Sequence, residues 1–110
     1  MADDILVRDY NAMTLEEQAR AIEEARRLGW ECARSYIWSH DDDDLDSLVV
    51  VESRDYIPYV VEVAYATKQC SEATLRSWEQ ASDEELTDDP RVQAFVRAWA
   101  EEIKEFKEEW

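Results

Sequence analysis

Trp30-Glu31-Cys32-Ala33-Arg34-Ser35-Tyr36-Ile37-Trp38 opens a stretch, closing at Thr67, that is rich in β-branched and aromatic residues and decides the fold. In this first run Trp30, Cys32, Tyr36 and Trp38 share one side when the chain is extended. In the run Ile57-Pro58-Tyr59-Val60-Val61-Glu62-Val63-Ala64-Tyr65, the residues Ile57, Tyr59, Val61, Val63 and Tyr65 do the same. Period-two alternation of this kind marks half-buried strands. Between them Leu48-Val49-Val50-Val51 is apolar on both faces, which suits a central strand. The stretch therefore predicts a three-stranded antiparallel meander. The loop His40-Asp41-Asp42-Asp43-Asp44-Leu45-Asp46 would join its first two strands and gather five carboxylates at one tip. A short turn near Ser53-Arg54-Asp55 would join the second and third, and Pro58 would sit near a strand start, where a missing donor is tolerable.

Helices are expected on either side. Thr14 reads as an N-cap, with Glu17 completing a capping box. The helix that follows is expected to run to about Leu28, with Leu15, Ala19, Ile22 and Ala25 on one face. Gly29, the single glycine, would be its left-handed C-cap. Ile5-Leu6-Val7 either adds a fourth edge strand or packs under this helix. After Thr67, Ser71 would cap a short helix containing Leu75 and Trp78. Ser82-Asp83-Glu84-Glu85-Leu86-Thr87-Asp88 reads as an acidic connector. Asp89 and Pro90 then form a strong helix start. The last helix has the cleanest periodicity: Val92, Val96, Trp99, Ile103, Phe106 and Trp110 recur at intervals of four and three, widened by Phe95 and Ala98. That stripe is expected to cover the sheet, with a dimer seam as the alternative. The fold class predicted is α+β: an N-terminal helix, three strands and two C-terminal helices in one domain spanning residues 1–110.

Charge bounds the function. Twenty-eight acidic residues against twelve basic ones leave −16. Direct binding to nucleic acid or to anionic lipid needs positive surface and is excluded. No apolar run is long enough to span a membrane, and Met1-Ala2-Asp3-Asp4 lacks the basic region of a signal peptide; the compartment expected is the cytoplasm. Ordinary solubility and salt adaptation both account for acidic surfaces. A third account is capture of a basic partner. Glu101, Glu102, Glu105, Glu108 and Glu109 crowd the end of the last helix, where negative charge opposes the helix dipole. Stability alone would favour Lys or Arg there.

Catalytic chemistry is not expected. His40 is the only histidine, so a His-rich metal site is excluded, and Cys32 and Cys70 have neither metal-type nor redox-type spacing. An EF-hand fails in both registers of the Asp run. From Asp42, Ser47 and Ser53 fall where Gly and Glu belong; from Asp41, Leu45 breaks the alternation. One glycine cannot build a phosphate loop, and no cofactor is implied.

In element order, with its Asp-rich strand loop and acidic last helix, the chain resembles the DNA-mimic proteins of phages. It is similar to a small type I-F anti-CRISPR family that occludes DNA-binding lysines of the Cascade complex. The resemblance implies carboxylates standing where DNA phosphates would lie. Asp41, Asp42, Asp43, Asp44 and Asp46 would form one anionic cluster and Glu101, Glu102, Glu105, Glu108 and Glu109 a second, with Trp38 and Trp110 as interface anchors. The partner would be a basic nucleic-acid-binding protein: a CRISPR effector, a restriction enzyme or a nuclease. The action would be stoichiometric inhibition in a bacterial host cell, by a monomer or a homodimer. An immunity or antitoxin protein that plugs a basic nuclease is the alternative.

Overall fold

The computed structural model describes residues 5–6, 8–38, 57–66 and 73–109. Among these the chain is entirely helical: a 3-10 turn (Tyr10–Ala12), then α1 (Leu15–Trp38), α2 (Ile57–Ala66), α3 (Ala73–Glu79), α4 (Asp83–Asp88) and α5 (Pro90–Glu109). The α+β expectation is overturned. The first expected strand is the second half of α1, and the third is α2. The expected central strand Leu48–Val51 and the turn at Ser53–Asp55 lie outside the described residues. With the first and third strands gone, so is the element order that carried the resemblance to the anti-CRISPR family.

The physical reason is that both runs also contain a helical period. In α2, Ile57, Val60, Val61 and Ala64 are buried while Tyr59 and Glu62 are exposed. That is the i, i+3, i+4, i+7 pattern of one helix face. Pro58 stands in the first turn of the helix, where its absent N–H would lack an intrahelical partner in any case. In α1, Ala21, Ala25, Leu28, Cys32, Ala33 and Tyr36 are buried, at spacings of three and four. Leu15 and Ala19, expected to face inward, are exposed instead. Leu15 is 85% exposed.

Gly29 is therefore not a C-cap. It lies inside a 24-residue helix, roughly 36 Å long, where α1 crosses α5. A Cβ at Gly29 would overlap the Phe95 carbonyl oxygen and stand 3.1 Å from the Cβ of Ala98. Glycine in a helix interior costs about 1 kcal/mol relative to alanine; here it is required for the two backbones to approach. Tyr10, whose carbonyl accepts from Gln18 of α1, lies beside Arg91 at the start of α5, Gly29 beside Phe95 and Ala98, and Tyr36 beside Trp99. The contacts climb both helices together, so α1 and α5 run in the same direction.

The α5 stripe is buried as expected, with Val92, Phe95, Val96, Ala98, Trp99 and Ile103 in the core. It covers α1 and the shorter helices, not a sheet. Trp99 is the centre of an aromatic chain. Tyr36 packs against it at 4.9 Å and Phe95 at 6.4 Å, and Trp78 of α3 meets Phe95 edge-on at 5.5 Å between centroids. Such pairs add about 0.5–1.5 kcal/mol each beyond burial.

Two of the local helix-start signals read from the sequence are present; the expected Ser71 cap lies outside the described residues. The Thr14 amide donates to Glu17 Oε1 at 3.0 Å, and the Glu17 amide donates to Thr14 Oγ1 at 3.1 Å, closing the capping box. The Arg91 amide donates to Asp89 Oδ1 at 2.9 Å, capping α5. Ile5 and Leu6 are buried in a turn, not in a strand. Arg91, only 6% exposed, ties them down. Its guanidinium pairs with Asp89 through two bonds of 3.1 and 3.0 Å and donates to the carbonyls of Ile5 (3.1 Å) and Arg8 (2.6 Å). The expected acidic connector is itself a helix: Asp83–Asp88 forms α4, capped by Ser82 Oγ, which accepts from the Glu85 amide at 3.2 Å.

Candidate acidic interface

The two expected anionic clusters fare differently. Asp41, Asp42, Asp43, Asp44 and Asp46 lie outside the described residues, as does Trp110. Trp38 is the last residue of α1. Glu101, Glu102, Glu105, Glu108 and Glu109 all belong to α5.

These glutamates do not form one free patch. Glu102 is drawn into the seam between helices, where Arg34 Nε of α1 donates to it at 3.2 Å. Glu101 approaches Arg26 of α1 at 4.0 Å, and the Arg26 guanidinium also lies 5.4 Å from the Trp30 ring centroid. Glu105 and Glu108 form no ion pair among the described residues. Two of the five last-helix glutamates thus help hold α1 to α5, at a modest net gain, since exposed pairs contribute about 0–1 kcal/mol.

Three of the four arginines of α1, Arg26, Arg27 and Arg34, are occupied by the chain's own acids, as is Arg8 before it. Arg27 bridges Glu24 at 2.9 Å and Glu31 at 2.7 Å along the helix surface. Its hydrogen bond to Glu24, then the charges of Glu31 and Glu24, raise its already high pKa. Arg8 reaches Glu17 at 3.5 Å. The Thr14 amide, opposed by partial desolvation and assisted by Arg8, holds the Glu17 carboxyl below its ordinary value.

A second group of acids lines a cleft that has no Lys or Arg among its lining residues. Glu62 of α2, Glu79 of α3 and Asp83 of α4 line an open cleft of about 440 Å³, together with Pro58, Tyr59, Ala81 and Leu86. Glu84 and Glu85 follow on the exposed first turn of α4. None of these five carboxylates forms an ion pair among the described residues. The position of Asp83, Glu84 and Glu85 in α4 has a local rationale, because acids in a first turn complement the helix dipole. Sequence reading passed over them as a connector. The Ser82-Asp83-Glu84-Glu85 run, a Ser followed three residues later by Glu, carried the signal for a helix start. That Glu62 and Glu79 would join them depends on α2 being a helix packed on α3 and α4.

No group of three or more His, Cys, Asp or Glu among the described residues is placed to hold a metal ion. No helix among them is long and apolar enough to cross a membrane. Compared with known proteins, the chain matches no family model, no curated protein and no solved structure.

Proposed function

We propose that this chain is an acidic inhibitor that occupies the nucleic-acid-binding surface of a basic protein, in the manner of a DNA mimic. The observation that carries the proposal is the uneven use of charge. Of the eight described arginines, those at positions 8, 26, 27, 34 and 91 each pair with a carboxylate of the chain itself, and Arg20, Arg76 and Arg97 are exposed without an ion pair among the described residues. Against a net charge of −16 for the whole chain, Glu62, Glu79, Asp83, Glu84, Glu85, Glu105 and Glu108 form no ion pair among the described residues. Duplex DNA presents about one charge per 1.7 Å of axis, so carboxylates spread along helices of this size offer a basic groove a comparable field. A host defence effector is the class of target that the proposal favours. The anti-CRISPR element order does not support it; the charge does.

The partner is sought by affinity capture from a bacterial lysate containing CRISPR and restriction systems, washed at low and moderate salt. The expected result is one nucleic-acid-binding effector retained at moderate salt, whose DNA the protein displaces. Association should be fast and weaken as salt rises, because steering acts between opposite charges. Charge reversal then tests the role of the acids. If Glu79→Lys/Asp83→Lys/Glu84→Lys and Glu105→Lys/Glu108→Lys variants, and lysine replacements of Asp41–Asp44, all displace DNA at wild-type potency, the proposal is wrong.

A further inference from the structure

Twice within this molecule an arginine is held by an aromatic ring and a carboxylate acting together. Arg26 lies 5.4 Å from the Trp30 centroid and pairs with Glu101; Arg91 lies 5.4 Å from the Tyr10 centroid and pairs with Asp89. The cleft between α2, α3 and α4 repeats that constellation without an arginine of its own among its lining residues. Tyr59, 47% exposed, is one of two large apolar side chains left open among the described residues. It stands in the cleft with Glu62, Glu79 and Asp83, each contributed by a different helix.

Resting on the inhibitory role proposed above, we infer that this cleft receives one arginine side chain of the basic partner protein, stacked on Tyr59 and paired with Glu62, Glu79 and Asp83. The physical fit has three parts. The carboxylates are not grouped as metal ligands, so they surround an extended cation better than a point charge. Pro58 and Leu86 supply apolar wall for an aliphatic stem. A planar guanidinium can present one face to the tyrosine ring and its edges to carboxylates, which a compact ammonium cannot. The cleft volume of about 440 Å³ lies at the small end of the range for ligand sites, roughly 300–1,000 Å³. An exposed tyrosine among acids would thus set where a basic surface docks, while the remaining acids supply steering.

The test uses the full chain, isotopically labelled, titrated with acetyl-Gly-Arg-Gly-amide and with its citrulline counterpart, which has nearly the same shape and no charge. The expected result is saturable amide shifts at Tyr59, Glu62, Glu79 and Asp83 with the arginine peptide and none with citrulline. Tyr59→Ala should weaken the peptide roughly two- to five-fold, the range expected for an exposed cation–π contact, and Tyr59→Phe should retain it. Because Tyr59 is half exposed, the variant should keep the wild-type melting curve. Shifts that spread without saturation over α5 as much as over the cleft would overturn the inference, as would a Tyr59→Ala variant that binds like wild type. The proposed function is read separately. If the wild-type chain displaces no DNA from any captured basic protein, that role fails; if Tyr59→Ala displaces DNA at wild-type potency, only the cleft fails.

Discussion

Replacing Gly29 by alanine asks whether the α1–α5 crossing governs this fold. In a helix interior the substitution would by itself stabilise by about 1 kcal/mol. Here the new Cβ would overlap the Phe95 carbonyl oxygen, with the Phe95 carbonyl carbon at 3.2 Å and the Ala98 Cβ at 3.1 Å. The main obstacle is backbone inside a 20-residue helix, which cannot rotate away as a side chain can. Separating the helices loosens the contacts of Tyr36, Phe95 and Trp99 along the same seam. Overpacking of a well-filled core costs about 1–3 kcal/mol, and the upper part of that range applies. The expected net effect of Gly29→Ala is destabilisation by about 1–2 kcal/mol, or a fall in Tm of roughly 4–8 °C for a domain of this size. Gly29→Leu should abolish cooperative unfolding. Adding Ala98→Gly to Gly29→Ala should recover less than half of the loss, because the carbonyl remains. Thermal and urea unfolding followed by circular dichroism measure all three. A capping glycine points its Cα hydrogens toward solvent, so its replacement cost would hardly depend on side-chain size. Equal losses for alanine and leucine, or a rise in Tm with alanine, would refute the crossing.

Arg91→Met should destabilise by about 3–5 kcal/mol, since it strands the half-buried Asp89 carboxylate, the buried Ile5 carbonyl and the partly buried Arg8 carbonyl. Arg91→Lys should recover little of this, because an ammonium cannot make the paired bonds to Asp89 and still reach Ile5 and Arg8; urea midpoints at constant m-value report both. Glu17 has a folded-state pKa below its ordinary 4.5, so its capping contact stabilises fully above that value and is lost as pH falls through the folded-state value. Carboxyl NMR titration should show the Glu17 midpoint moving up in Thr14→Pro, which removes the amide donor, and less in Thr14→Ala, which keeps it; Glu17→Gln should flatten stability against pH below 4.5. A double-mutant cycle between Arg34 and Glu102 should give a coupling of only about 0.2–1 kcal/mol that shrinks in high salt, as both ends reach solvent.

The expectation of a sheet and the observed bundle arise from the same residues. Val60-Val61-Glu62-Val63-Ala64 contains apolar residues at both period two and period three-to-four, and β-branched composition tips the reading toward a strand. Short apolar runs carry this ambiguity intrinsically, and packing decides it. The buried set in α2 is the helical one because α3, α4 and α5 offer it a face. Gly29 misled for a related reason. A glycine after an amphipathic segment is the usual mark of a helix end, and only the approach of Phe95 and Ala98 shows that it is a crossing. The candidate site was partly legible. The last-helix glutamates were recognisable as a dense acidic run, but their pairing with Arg26 and Arg34 depends on α1 continuing to Trp38. The cleft around Tyr59 draws on three helices, so no window of sequence contains it.

Features that short-range chemistry closes within a few residues are legible in the chain alone. The Thr14–Glu17 capping box, the Asp89-Pro90 start of α5 and the apolar stripe from Val92 to Phe106 are of this kind, and the charge of −16 follows from composition alone. Only the tertiary structure decided that Trp30–Trp38 and Ile57–Ala66 are helices, that Gly29 is a point of backbone contact, and which carboxylates are paired and which remain. Those outcomes depend on partners distant in the chain: burying an apolar face needs a complementary face, and an acid is neutralised only by a cation that the fold brings within reach.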